Sequence, residues 1–180
     1  MTIRYALARR KAVELLRNAK VRTAPVPVEE LAARVGARIR FEPFAGEMSG
    51  MVRRVNSEEA IIGVNSMHAP TRRRFTIAHE LGHLLLHGDE ELHVDETFPL
   101  AFRSPVSSQA IDAREIEANQ FGAELLMPES FLANDLKGRR IDSEDDEAVG
   151  ALAQRYEVSI QAMSFRLSNL GVTAPSRRPK

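Results

Sequence analysis

Three of the chain's five histidines stand in TIAHELGHLLLHG, residues 76–88, among neighbours that are almost all apolar. His79 and His83 are four residues apart, so on a helix they project from one face and both imidazoles reach a single ion. Neutral imidazoles hold zinc at roughly 2.0–2.1 Å, and the carboxylate of Glu80, next to the first histidine, is placed to take a proton from water that the metal acidifies. Phe75, Ile77, Leu81, Leu84, Leu85 and Leu86 make this a buried helix, where an unpartnered imidazole is costly. The competing reading is a pair of core histidines bonded to backbone.

A catalytic zinc takes three protein ligands and leaves one position open. The metzincin pattern needs a histidine six residues after His83, and Asp89 stands there. His87 continues the same helical face, but three ligands on consecutive turns of one helix cannot converge on one ion; it reads as a helix cap or as a group behind the ligands. His68 and His93 read as surface residues. The better source is DAREIEANQFGAELLMP, residues 112–128. Ala118, Gly122, Leu125 and Leu126 form its apolar stripe and Glu115 lies on it, where a carboxylate is expensive unless paired or bound to metal. Glu117 is the rival two positions away. Asn119, one turn after Glu115, is placed to hold a ligand histidine by its other ring nitrogen. Gly122 and Ala123 let two helices approach closely.

These groups need elements to carry them. Residues 5–19 have helical apolar spacing with basic residues opposite, seven Lys/Arg against one Glu over residues 1–22, which a solvated helix face explains. A short helix from Val28 to Arg34, stopped by Gly36, leads into an extended segment, Ala37 to Phe41. GMVRRV and AIIGVN, joined by a polar turn at Asn56 to Glu59, read as a hairpin. Pro70 opens the histidine-bearing helix and Gly88 closes it. Near the C-terminus, EAVGALAQRYEVSIQAMSFRLSNLG reads as two helices with Val158 and Ser159 at the joint, a helix-turn-helix pattern. Residues 141–171 hold six acidic and two basic side chains, the wrong sign for a phosphate backbone.

At 180 residues the chain suits one domain with a small helical appendage. It has no cysteine, which excludes disulfides, thiolate metal sites and a cysteine nucleophile. Its zero formal charge argues against coating nucleic acid. The first residues lack the apolar core of a signal peptide and no segment reaches the length of a membrane span, so a cytoplasmic protein is expected.

RRRFTIAHELGHLLLH and EIEANQFGAELLMP together resemble the ImmA/IrrE family of metallopeptidases, and weaker similarity runs from PVPVEELA to RLSNLG. The resemblance implies a reduced gluzincin, with zinc held by His79, His83 and Glu115 and with Glu80 as general base. It implies a protein substrate, a helix-turn-helix transcriptional repressor whose cleavage switches on phage, mobile-element or stress genes. The alternatives are a non-proteolytic metal-containing regulator that binds a repressor, and a DNA-binding regulator; direct nucleic-acid contact and membrane association are not expected. For the group that stabilises the oxyanion, Tyr156, His87, His93 and Arg166 are candidates among which the sequence does not choose. The expected fold is α+β: mainly helical, with a small antiparallel sheet beside the HExxH helix in a zincin-like domain over residues 1–130. A helical part over 131–172 and a flexible tail over 173–180 complete the expectation.

Overall fold

The computed structural model describes residues 2–46, 48–88, 92–95, 113–142 and 145–174. In order, the chain forms α1 (Tyr5–Asn18), α2 (Val28–Arg34), β1 (Ala37–Glu42), β2 (Gly50–Arg54), β3 (Ala60–Asn65), α3 (Pro70–Leu86) and β4 (Leu92–Asp95). It continues with α4 (Ala113–Leu126), α5 (Glu129–Leu136), β5 (Ile141–Asp142), α6 (Asp146–Tyr156), α7 (Ile160–Asn169) and β6 (Thr173–Ala174). This is the expected α+β organisation, dominated by helices. Among the described residues no helix is long and apolar enough to cross a membrane.

The sheet corrects one expectation. Its order is β1-β3-β2-β4, and it is mixed rather than antiparallel, because β1 and β3 run parallel. The β2–β3 hairpin does form, with Val52 opposite Ile62, but β3 is apolar on both faces, with Ala60, Ile62 and Val64 buried on one and half-buried Ile61 and buried Gly63 on the other. Such a strand needs neighbours on either side. The hairpin therefore inserts β3 between β1 and β2, and the connection is tied down by Asn65, whose amide donates to the Met48 carbonyl at 2.9 Å. The edge strands among the described residues are β1 and β4, not the hairpin.

α3 lies between this sheet and α4. Every residue from Phe75 to Leu84 is buried, as an all-round apolar helix demands. It ends at Leu86, with His87 as its C-cap donating its backbone N–H to the His83 carbonyl and Gly88 next after the cap. α4 crosses it at two glycines. A Cβ on Gly82 would stand 2.9 Å from the Ala118 Cα, and one on Gly122 would stand 3.4 Å from the His79 nitrogen. α1 buries Ala8, Ala12 and Leu16, at the i, i+4, i+8 spacing of one apolar stripe.

The C-terminal helices close the core rather than project from it. Asp145 and Ser159 cap α6 and α7 through their side-chain oxygens. Val149, Ala153, Tyr156, Met163 and Leu167 are buried, and the Tyr156 hydroxyl donates to Asp135 at 2.8 Å. Arg166, also buried, donates to the Met127 carbonyl at 2.9 Å and pairs with Glu124 of α4. The predicted helix-turn-helix pattern is thus spent on packing the second helix inward. Thr173 and Ala174 pair with Ile141 and Asp142; Ser143 and Glu144 of the DSEDDE run, and residues 175–180 of the expected tail, lie outside the described residues.

Replacing Gly82 by Val tests the close approach. The added Cβ meets backbone, which cannot rotate away, so overpacking should destabilise the fold by about 1–3 kcal/mol. Urea denaturation checks this; an unchanged midpoint would show that α3 and α4 have slack there.

Candidate metal centre

The i, i+4 spacing on α3 delivers what the sequence promised: the Nε2 atoms of His79 and His83 stand 3.1 Å apart. Both side chains are about 1% exposed. The Nδ1 of His79 meets the Asn119 side-chain oxygen at 3.0 Å. A carbonyl oxygen only accepts, so this nitrogen carries the proton and Nε2 presents its lone pair. Burial, opposed by a hydrogen bond to Glu115 and reinforced by the neighbouring imidazoles of His79 and His93, pushes His83 down to about 4. It is therefore neutral at physiological pH.

α4 brings Glu115 to this pair, its oxygens 3.3 Å from His79 Nε2 and 3.2 Å from His83 Nε2. Burial alone would raise this carboxyl, but its close polar contacts with the imidazoles of His79, His83 and His93 hold it below the usual carboxylate range. Glu117 is turned the other way. It accepts from the Arg4 backbone N–H at 2.7 Å and from the Arg4 guanidinium at 2.7–3.1 Å. This pairing fastens the start of α1 to α4 and holds Glu117 below its ordinary value. His87 belongs to the same corner, its Nδ1 3.4 Å from the Arg4 guanidinium and its Nε2 3.2 Å from the Arg114 carbonyl.

The sequence reading missed His93. Instead of lying at the surface it joins His79, His83 and Glu115 in one group, whose candidate donor atoms all lie within 4.8 Å of one another. A four-residue strand is too short for its alternation to declare a face, and the pairing that settles it is long-range. Of the four residues considered for stabilising the oxyanion, His93 alone is in this group. Tyr156 and Arg166 are engaged with Asp135 and Glu124, and His87 with Arg114 and Arg4.

The donor set fits a small cation. Four ligands at about 2.0–2.1 Å in a tetrahedron stand about 3.3–3.4 Å from each other. The spacings of 3.1, 3.2 and 3.3 Å among His79, His83 and Glu115 are close to that. Lone pairs of neutral imidazoles and an anionic carboxylate repel one another in a dry pocket unless a positive charge sits between them. Glu80, fully buried, lies outside this set and faces β2, where only the absence of a side chain on Gly50 leaves it room. A Cβ there would stand 3.0 Å from Glu80 Oε1.

The IrrE N-terminal-like domain family, Peptidase_M78, matches residues 32–168. The chain is 33% identical over 152 residues to the radiation response metalloprotease IrrE of Deinococcus radiodurans, covering 81% of this chain and 43% of that protein. It is 34% identical over 140 residues to the protein of the same name from Deinococcus deserti, covering 78% and 45%. The chain thus spans less than half the length of the curated relatives it matches. A Mycobacterium tuberculosis transcriptional regulator has a similar fold, with a TM-score of 0.56 at 19% identity over 95% of this chain and 48% of that one.

Asn119→Ala tests the support behind His79. Freed from the amide, the ring loses its fixed tautomer and orientation, and metal affinity should fall about 10–100-fold. Chelator competition measures it; unaltered affinity would mean that Asn119 does not orient a ligand.

Proposed function

The chain belongs to the Peptidase_M78 family of IrrE N-terminal-like domains, and from that premise we propose that it is a zinc-dependent endopeptidase that cuts a partner protein at a specific site. The observation that carries this is the convergence of His79, His83 and Glu115 beside a buried Glu80. His79, His83 and Glu115 hold the metal, and nitrogen and oxygen donors at this spacing suit zinc. When bound, such an ion polarises water and the carbonyl to be attacked. Glu80 takes the proton of the attacking water and passes it to the leaving amine. Asn119 keeps His79 in the tautomer whose Nε2 faces the site, and burial of His79, His83 and Glu80 keeps bulk water from that side of it.

An extended substrate segment is accommodated by strand addition. The β2–β3 hairpin is interior to the sheet, so among the described residues the choice falls between the edges of β1 and β4. β1 carries exposed Arg38 and Arg40, and charges along an edge discourage pairing. β4 has exposed Leu92 and Val94 and places His93 in the metal group. A segment laid along β4 therefore runs beside the site. The partner cut in this way is a helix-turn-helix transcriptional repressor, whose loss would derepress phage, mobile-element or stress genes.

Glu80→Gln separates catalysis from binding. The amide keeps shape and cannot accept the proton, so metal content should be unchanged while cleavage of the repressor falls about 10²–10⁴-fold. Gel analysis of purified partner proteins reads the outcome. Undiminished cleavage would contradict the role of Glu80, and full derepression by an inactive variant would point to a regulator that acts by binding alone.

A further inference from the structure

Across the sheet, Ile39 of β1, Ile62 of β3, Val52 of β2 and His93 of β4 stand opposite one another in a single row. Residues directly opposed on paired strands point to the same face. Ile62 and Val52 are buried there, so an aliphatic side chain would complete the row at its end, yet the position holds an imidazole. A polar ring in that place costs free energy unless something binds it.

The ring is stacked on His83, with 3.5 Å between ring centroids and 16° between planes. It must turn off that ring to share an ion with it, because two imidazoles held tetrahedrally on one ion keep their centroids about 5 Å apart. Its Nε2 is 3.2 Å from Glu115 Oε1, matching the 3.2 and 3.3 Å at which His83 and His79 meet the same carboxylate. Three imidazoles thus surround one carboxylate at equal reach, two from α3 and one from an edge strand.

We propose that His93 is a fourth protein ligand of the metal, so that protein donors close the resting site on all sides. The inference rests on the metal reading given under Proposed function. Four protein ligands are the mark of a closed site, whereas peptide hydrolysis needs one open position. The resting protein is then latent, and the group that must yield sits on the strand along which the substrate segment is proposed to lie. Capture of the correct partner and opening of the site are linked through β4.

X-ray absorption on the zinc-loaded wild-type protein counts imidazoles directly. Three histidines around the metal are expected, falling to two in His93→Phe, which keeps an aromatic ring against His83. Chelator competition should show that variant to bind zinc about 10-fold or more weakly, while His68→Ala matches the wild type. Two histidines in the wild type, with equal affinity in His93→Phe, would overturn the fourth ligand and leave the site of His79, His83 and Glu115 standing. Failure of the wild type to take up zinc at all would instead overturn the reading on which this one rests.

Discussion

The close packing of α3 on α4 is the constraint on which the site depends. His79 and His83 come from one helix and Glu115 from another, and their donor atoms stand within 3.3 Å of each other only because the helices touch at backbone distance. Gly82 against Ala118, and Gly122 against the backbone of Ala78 and His79, make that possible. Larger residues at either glycine would hold the carboxylate away from the imidazoles. Contact at this distance also removes water, which makes the unbalanced lone pairs and negative charge of the donor set expensive and raises the value of a cation there.

Other parts of the chain hold α4 in that position. At one end, Arg4 fastens Glu117 and reaches His87, so the start of α1, the cap of α3 and the first turns of α4 meet in one polar corner. At the other, Arg166 of α7 holds Glu124 and the Met127 carbonyl. Both acidic partners on α4 are buried, and loss of either arginine would take from a buried carboxylate its shortest ion pair. The C-terminal helices therefore contribute to the site although they place no side chain in it. Sheet and hairpin act from the other side, where the bare backbone of Gly50 leaves room for Glu80.

What the sequence disclosed follows the range of the interactions. The i, i+4 histidines, the limits of α2 and the joint between α6 and α7 depend on neighbours within a few residues, and all were readable. Asn119 was readable as a partner for His79 because helical spacing puts it one turn from Glu115. Glu115 was preferred over Glu117 for its place on the apolar stripe, but what engages Glu117 instead, Arg4, lies more than a hundred residues away. The parallel pairing of β1 with β3 was hidden for a similar reason. Adjacent strands suggested only a hairpin, whereas the apolar run of β3 on both faces, correctly weighed, demanded a second neighbour. His93 was misplaced because its face is set by pairing with Val52, a contact that no local pattern encodes.

Metal content is the most direct measurement of the central claim that residues from α3 and α4 together hold one ion. Protein purified without added metal, with circular dichroism to confirm folding, should carry close to one equivalent of zinc in the wild type and in Glu117→Ala. His79→Ala and Glu115→Ala should carry almost none. Equal metal in Glu115→Ala and the wild type, or a folded wild type that neither carries nor takes up metal, would contradict the account.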